Sequence, residues 1–269
     1  MKVVYFYWSG NKMSFFNYLS VYSFKKMNPD WVIHLYTSNN DVVKPTWSSG
    51  EQNNIYDGED YFIKCSELCD KVIEFDYSTI GLDNNMHPVH KADILRQYLL
   101  YEHGGLWSDM DILWIKSIDK LYEETLKNID VTFVYVREVH CSGVVYTSGN
   151  KNAIYETIFN HVKNNYNSSS YQGAGPIALK TLLGDFDSIR DRWPDLKIVN
   201  LSQSSFAPYW YNEINNFYGG VDQVADDTIG IHWFGGALES AEQVNTLTES
   251  DIYNTNKNSV LLNYIREVY

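Results

Sequence analysis

The sequence predicts an α/β protein with a mostly parallel central sheet flanked by helices. In the first half of the chain, short apolar runs alternate with helical patterns, the order that lays strands side by side with crossover helices between them. The 269 residues are 44% hydrophobic, enough for a large core, and positions 1–269 read as a single domain.

Residues 2–8 (KVVYFYW) form a buried first strand, closed by the turn signal Ser9-Gly10-Asn11. Apolar residues at helical spacing predict a helix over 14–29, with Ser14 as its cap and Pro29 beyond its end. A second strand covers 31–37. Residues 38–59 are polar and carry Pro45, Gly50 and Gly58, which predicts a long loop. A helix over 59–70 and a strand over 71–75 follow. The clearest helix is 90–105, where Ile94, Leu95, Tyr98, Leu99 and Glu102 recur at three-to-four spacing and Gly104 ends the run. Residues 106–115 (LWSDMDILWI) read as a strand running into a turn. Strands are predicted over 131–138 and 142–149, a helix over 150–166 and a loop over 167–175. A helix over 176–184 has Pro176 at its first position. Strands at 196–201 and 228–236 and a helix near 259–269 complete the chain, whose second half lacks the regular alternation of the first.

The formal net charge of −13 argues against a nucleic-acid binder, whose footprint is basic, and against docking on anionic lipid. The first residues lack the apolar core and small-residue cleavage site of a signal peptide. No apolar run reaches the roughly 20 residues of a membrane span. Three cysteines without further ligands beside Cys65 and Cys69 read as buried thiols of a reducing compartment, so a cytoplasmic location is expected. The 22 tyrosines and 8 tryptophans suit sugar rings and bases, and suit core packing equally.

Asp109 and Asp111 stand one residue apart in an otherwise apolar run. On extended backbone, positions i and i+2 share a side, so the two carboxylates converge. Such a pair repels itself unless a proton or cation lies between, and hard oxygen ligands at this spacing suit Mn2+ or Mg2+. Ligands of open α/β sheets gather beyond the carboxyl ends of strands, where this pair lies. Asp93 and Arg96, three apart on the preceding helix, share a face. They read either as a surface ion pair or as a carboxylate for sugar hydroxyls beside a guanidinium for anions.

The stretch 91–113 (KADILRQYLLYEHGGLWSDMDIL) resembles the sugar-binding segment of DXD-containing glycosyltransferases, among them mannosyltransferases, capsular sugar transferases and, more distantly, the clostridial glucosylating toxins. Ala92, Asp93, Arg96, Gly104, Gly105, Trp107, Asp109 and Asp111 fill the places of that pattern. VVYFYWSG is similar to the family's first strand, where an aromatic stacks on the base, a place for Tyr7 or Trp8. GAGPIAL (173–179) resembles a Thr-Gly-Pro segment near the acceptor, with Ala174 in place of the hydroxyl residue. GIHWFGG (230–236) resembles a late segment that completes the metal and diphosphate shell, which marks His232 and Trp233. Ser142, in HCSG, stands where the family often has Asn.

The resemblance implies a GT-A type nucleotide-sugar-binding fold and a metal-dependent, retaining transfer from a UDP-sugar, or a GDP-sugar, to a glycan, lipid-linked or protein acceptor. It implies Asp111 as a metal ligand, Asp109 on metal, ribose or both, and His232 as a third ligand. Asp93 would orient donor hydroxyls beside Arg96, with Trp107, Ser108 and Trp233 around the donor. Double displacement and same-face attack both remain open. A haloacid-dehalogenase-like phosphatase and a non-enzymatic sugar- or nucleotide-binding module are the competing readings. The first also uses Asp-X-Asp, but at the end of a first strand and followed by Thr or Val where this chain has Leu113.

Overall fold

The computed structural model describes residues 2–38, 47, 56–136, 139–220, 223–254 and 258–269. The first unit is β1 (Val3–Trp8), α1 (Phe15–Met27) and β2 (Val32–Thr37). The Ser14 side chain caps α1 by accepting from Asn17 N. Next come α2 (Phe62–Ser66), β3 (Lys71–Glu74), α3 (Pro88–Glu102), β4 (Gly105–Ser108) and β5 (Ile112–Trp114). They lead to α4 (Asp119–Glu124), β6 (Val131–Phe133), the hairpin β7 (Tyr135–Val136) and β8 (Val139–His140), and β9 (Val144–Thr147). Beyond lie α5 (Ala153–Asn165), α6 (Pro176–Leu183), α7 (Phe186–Arg192), β10 (Ile198–Asn200), α8 (Gln203–Phe206) and α9 (Asn215–Gly219). The chain then runs through β11 (Gly230–His232), α10 (Leu238–Thr246), α11 (Glu249–Ile252) and α12 (Val260–Val268).

The main sheet has the order β10-β6-β9-β4-β1-β2-β3. β1 runs parallel to both β2 and β4, β10 runs parallel to β6, and β9 is antiparallel to β4 and β6. β5 leaves this sheet to pair antiparallel with β11. Two apolar layers form. One gathers α1, α12 and the β5–β11 pair around Phe16, Phe24, Trp114 and Trp233. The other packs α3 and α5 through Ile94, Leu95, Leu99, Tyr155 and Ile158. Ridges of long side chains on those two helices remove apolar area from water, roughly 1.5–3 kcal/mol for each side chain fully buried.

Several expectations are corrected. The strand expected over 106–115 is two strands, and the aspartate pair sits in the break between them, because β4 stays in the main sheet while β5 turns to β11. The helix expected over 59–70 is confined to Phe62–Ser66, since Asp70 instead accepts from Ile33 N through its carboxylate and ties the chain to β2. α3 starts at Pro88, ahead of the expected 90, where His87 Nδ1 accepts from Val89 N at 3.3 Å and proline needs no N–H partner. The strand expected over 131–138 leaves the main sheet at Phe133 and resumes as β7 in the hairpin with β8, and positions 137–138 lie outside the described residues. Most of the loop expected over 38–59 lies outside them too, with Pro45 and Gly50. The helices α7 to α11 were not foreseen.

The two glycines between α3 and β4 are required by contact as well as by conformation. Gly104 has φ +68° and a side chain there would meet Gly149 O at 2.5 Å; Gly105 has φ +104° and would meet Val3 Cγ1 at 2.7 Å. They let the helix end directly against the sheet. Gly105→Ala should lower unfolding free energy by at least about 1–2 kcal/mol, the cost of a left-handed backbone for an L residue, as read by urea denaturation. An unchanged midpoint would contradict this packing.

Candidate functional site

α3 and the β4–β5 break bring the predicted cluster together. Asp93 and Arg96, one turn apart, are both buried and form an ion pair through Asp93 Oδ1 and Arg96 Nη2. Arg96 Nη1 also donates to Asp109 Oδ1 at 3.2 Å. The indole N–H of Trp107 donates to that same oxygen at 2.6 Å, as expected of residues two apart on one face of a strand. The backbone N–H of Asp109 donates to Gly143 O at 2.8 Å.

Asp111 faces a different set of partners. Its Oδ2 accepts from Gly235 N at 2.8 Å and lies 3.0 Å from His232 Nε2. Its backbone carbonyl accepts from Trp233 N at 3.0 Å. One ligand atom from each of Asp109, Asp111 and His232 lies within 4.8 Å of the others. Asp111 Oδ1 is buried without a hydrogen-bond partner. A buried carboxylate oxygen left unpaired is costly, and two carboxylates with an imidazole form a donor set that suits a divalent cation. The residues therefore fit such an ion.

The electrostatics are consistent with a site that wants positive charge. Burial, reinforced by the neighbouring Asp111, pushes the Asp109 carboxyl up to about 6, against the pull of Arg96. Burial also opposes charge on Asp111, but His232 and the Gly235 N–H hold its carboxyl below the usual range. His232 is raised well above an ordinary histidine by Asp111, although burial works against its charge. Burial raises Asp93, with Arg96 opposing.

The remaining predicted residues are placed as follows. Tyr7 is buried, and its hydroxyl pairs with Ser38 Oγ at 2.7 Å. Trp8, at the carboxyl end of β1, is half-buried. Ser108 is buried, and its Oγ accepts from Trp114 Nε1 at 3.3 Å. Trp107 is buried and reaches the cluster through its N–H, not as an exposed wall. Trp233 is fully buried and packs on Phe16, ring centroids 4.3 Å apart, so its side chain offers no surface to a donor. It follows His232 on the strand and points the other way, into the core.

Sequence reasoning missed three glycines. A side chain at Gly175 would overlap the Asp93 carboxylate; one at Gly143 would come within 3.3 Å of Asp109 Oδ2; one at Gly235 would come within 3.5 Å of Asp111 Oδ2. Each lies inside a segment singled out for other reasons, HCSG, GAGPIAL or GIHWFGG, and their role shows only when the three carboxylates meet them.

Residues 17–127 match the family described as glycosyltransferase sugar-binding region containing DXD motif. The match spans less than half of the chain and includes Asp109-Met110-Asp111 at the place of the DXD triplet. His232 lies beyond the matched segment. No curated protein matches the chain significantly. Among solved structures, the chain is similar to the glycosyltransferase GlyE of Streptococcus pneumoniae, at 12% identity over 99% of this chain and 60% of that one, with a TM-score of 0.51. It is similar to the PaToxG glycosyltransferase at 14% identity over 99% of this chain and 86% of that one, TM-score 0.49. It is also similar to an active-site mutant of LgtC at 13% identity over 92% and 98%, TM-score 0.42. At 12% identity the likeness to GlyE concerns the fold alone, which is of the GT-A type. Among the described residues no helix is long and apolar enough to cross a membrane.

The Asp109 shift has a sign that can be checked. A carboxyl raised in the folded state binds its proton more tightly there than when unfolded, so its contribution to stability falls as pH rises from about 4 through about 6. With chelator present, Asp109→Asn should therefore gain stability relative to the wild type as pH goes from about 4 to about 7. Thermal melts across that range check this, and a difference independent of pH would contradict it.

Proposed function

We propose that the protein is a divalent-metal-dependent, retaining glycosyltransferase that moves a sugar from a nucleoside diphosphate sugar to a hydroxyl of a glycan, lipid-linked or protein acceptor. UDP is favoured over GDP through the resemblance alone. The observation that carries the metal dependence is the convergence of Asp109, Asp111 and His232 around a carboxylate oxygen that no protein group satisfies.

Asp109, Asp111 and His232 would hold the ion, Mn2+ or Mg2+. Bound there, a divalent ion supplies Lewis-acid neutralisation of the charge that develops on a departing diphosphate. The chain's own groups do the rest. Trp107 and Arg96 fix Asp109 from one side, and Gly235 fixes Asp111 from the other. Asp93, aimed by Arg96 and with Gly175 keeping the space beside it clear, accepts from hydroxyls of the donor sugar. Held in that ion pair, Asp93 suits orientation better than covalent attack, which favours same-face transfer. Trp8 suits the base better than Tyr7, because the Tyr7 hydroxyl is engaged with Ser38. The reading of the three free thiols supports a cytoplasmic site of action.

Two variants test the division of labour. Asp111→Asn should abolish Mn2+-dependent release of UDP or GDP from a nucleotide sugar, at least about 100-fold in rate, with the far-UV spectrum unchanged. Full turnover in that variant would refute the assignment. Asp93→Ala should lower kcat or raise KM for the donor while Mn2+ affinity stays within about threefold of wild type, because it lies outside the ion's ligand set. Loss of Mn2+ affinity instead would move Asp93 into that set.

A further inference from the structure

His232 uses both ring nitrogens. Nε2 faces Asp111 Oδ2 at 3.0 Å, and Nδ1 lies 3.7 Å from the sulfur of Cys141. Cys141 is buried where the chain leaves the β7–β8 hairpin, and its backbone N–H donates to Val134 O at 2.7 Å, which anchors the main chain there. The rest of the imidazole is equally confined. Phe234 stacks on its face with centroids 4.0 Å apart and planes 23° apart. At its edge, a side chain in place of Gly143 would approach Cε1 to 3.1 Å and Nδ1 to 3.3 Å.

A histidine binds a cation through the nitrogen that has a lone pair in the ring plane, and the hydrogen bond made by the other nitrogen decides which one that is. Cysteine sulfur is a weak acceptor, and 3.7 Å is within reach of an N–H···S bond. The geometry points to Cys141 as a positioning residue: its sulfur accepts the Nδ1–H of His232 and so reserves Nε2 for a divalent cation beside Asp111. Were the thiol the donor, the ring proton would sit on Nε2 and a cation would face an N–H. Asp111 and Cys141 thus hold the ring from opposite edges, and Phe234 prevents it from rotating between them. This inference rests on the metal reading of the same site.

The test combines nitrogen-15 NMR of the His232 ring in the protein saturated with Mg2+, where Nε2 gives up its proton to bind, with calorimetric titration of Mn2+ alone. The proteins compared are the wild type, Cys141→Val and Cys141→Ser. Nδ1 should carry a proton in the wild type and in the serine variant, whose hydroxyl also accepts. Cys141→Val loses the acceptor and adds one methyl-sized atom, and should raise the Kd for Mn2+ about tenfold, with Cys141→Ser within about threefold of wild type. An unprotonated Nδ1 in the wild type would overturn the inference, and that reading stands even if the valine variant does not fold. Wild-type Mn2+ affinity in Cys141→Val, or equal weakening in both variants, would overturn it too while leaving the metal reading intact. A wild type that binds no Mn2+ would remove both.

Discussion

The structure turns on holding two carboxylates side by side in a partly desolvated place. Asp109 and Asp111 repel each other, and the fold answers with a basic group on each side: Arg96 against Asp109, and His232 against Asp111. Neither answer is complete. Asp109 stays partly inclined to protonate, and Asp111 Oδ1 has no partner. The arrangement is balanced for one more positive charge, which is the property a diphosphate-binding site needs.

Much of the surrounding architecture serves this convergence. The chain carrying the pair breaks between Ser108 and Ile112, so the first aspartate follows β4 of the main sheet and the second precedes β5, which pairs with β11. That pairing brings His232, 121 positions further on, against Asp111. Glycines at 143, 175 and 235 leave room around the three carboxylates. The Gly104-Gly105 turn lets α3 end against the sheet, so that Arg96 reaches across to Asp109.

Those parts of the site that lie close in sequence were legible. Asp93 and Arg96 share a helix face by spacing alone, and the Asp109–Asp111 convergence survives even though the backbone there is a turn between strands. His232 was reachable only through family resemblance, since a histidine between apolar neighbours carries no signal of its own. Trp233, expected beside the donor, is buried and packs on Phe16, as strand alternation next to His232 allows. The glycine contacts and the Cys141 sulfur were invisible because they arise between segments far apart in the chain. The fold was clearer where strands and helices alternate than beyond Pro176. Helices such as α10 and α11 mix polar and apolar residues too evenly for periodicity to show.

The most direct measurement is equilibrium binding of UDP and GDP to the wild-type protein with Mn2+ and with chelator. If the aspartates and His232 grip a cation that in turn grips a diphosphate, one of the two nucleotides should bind at least about tenfold more tightly with the metal than without it. Nucleotide affinity that is the same in Mn2+ and in chelator would contradict the account at its centre.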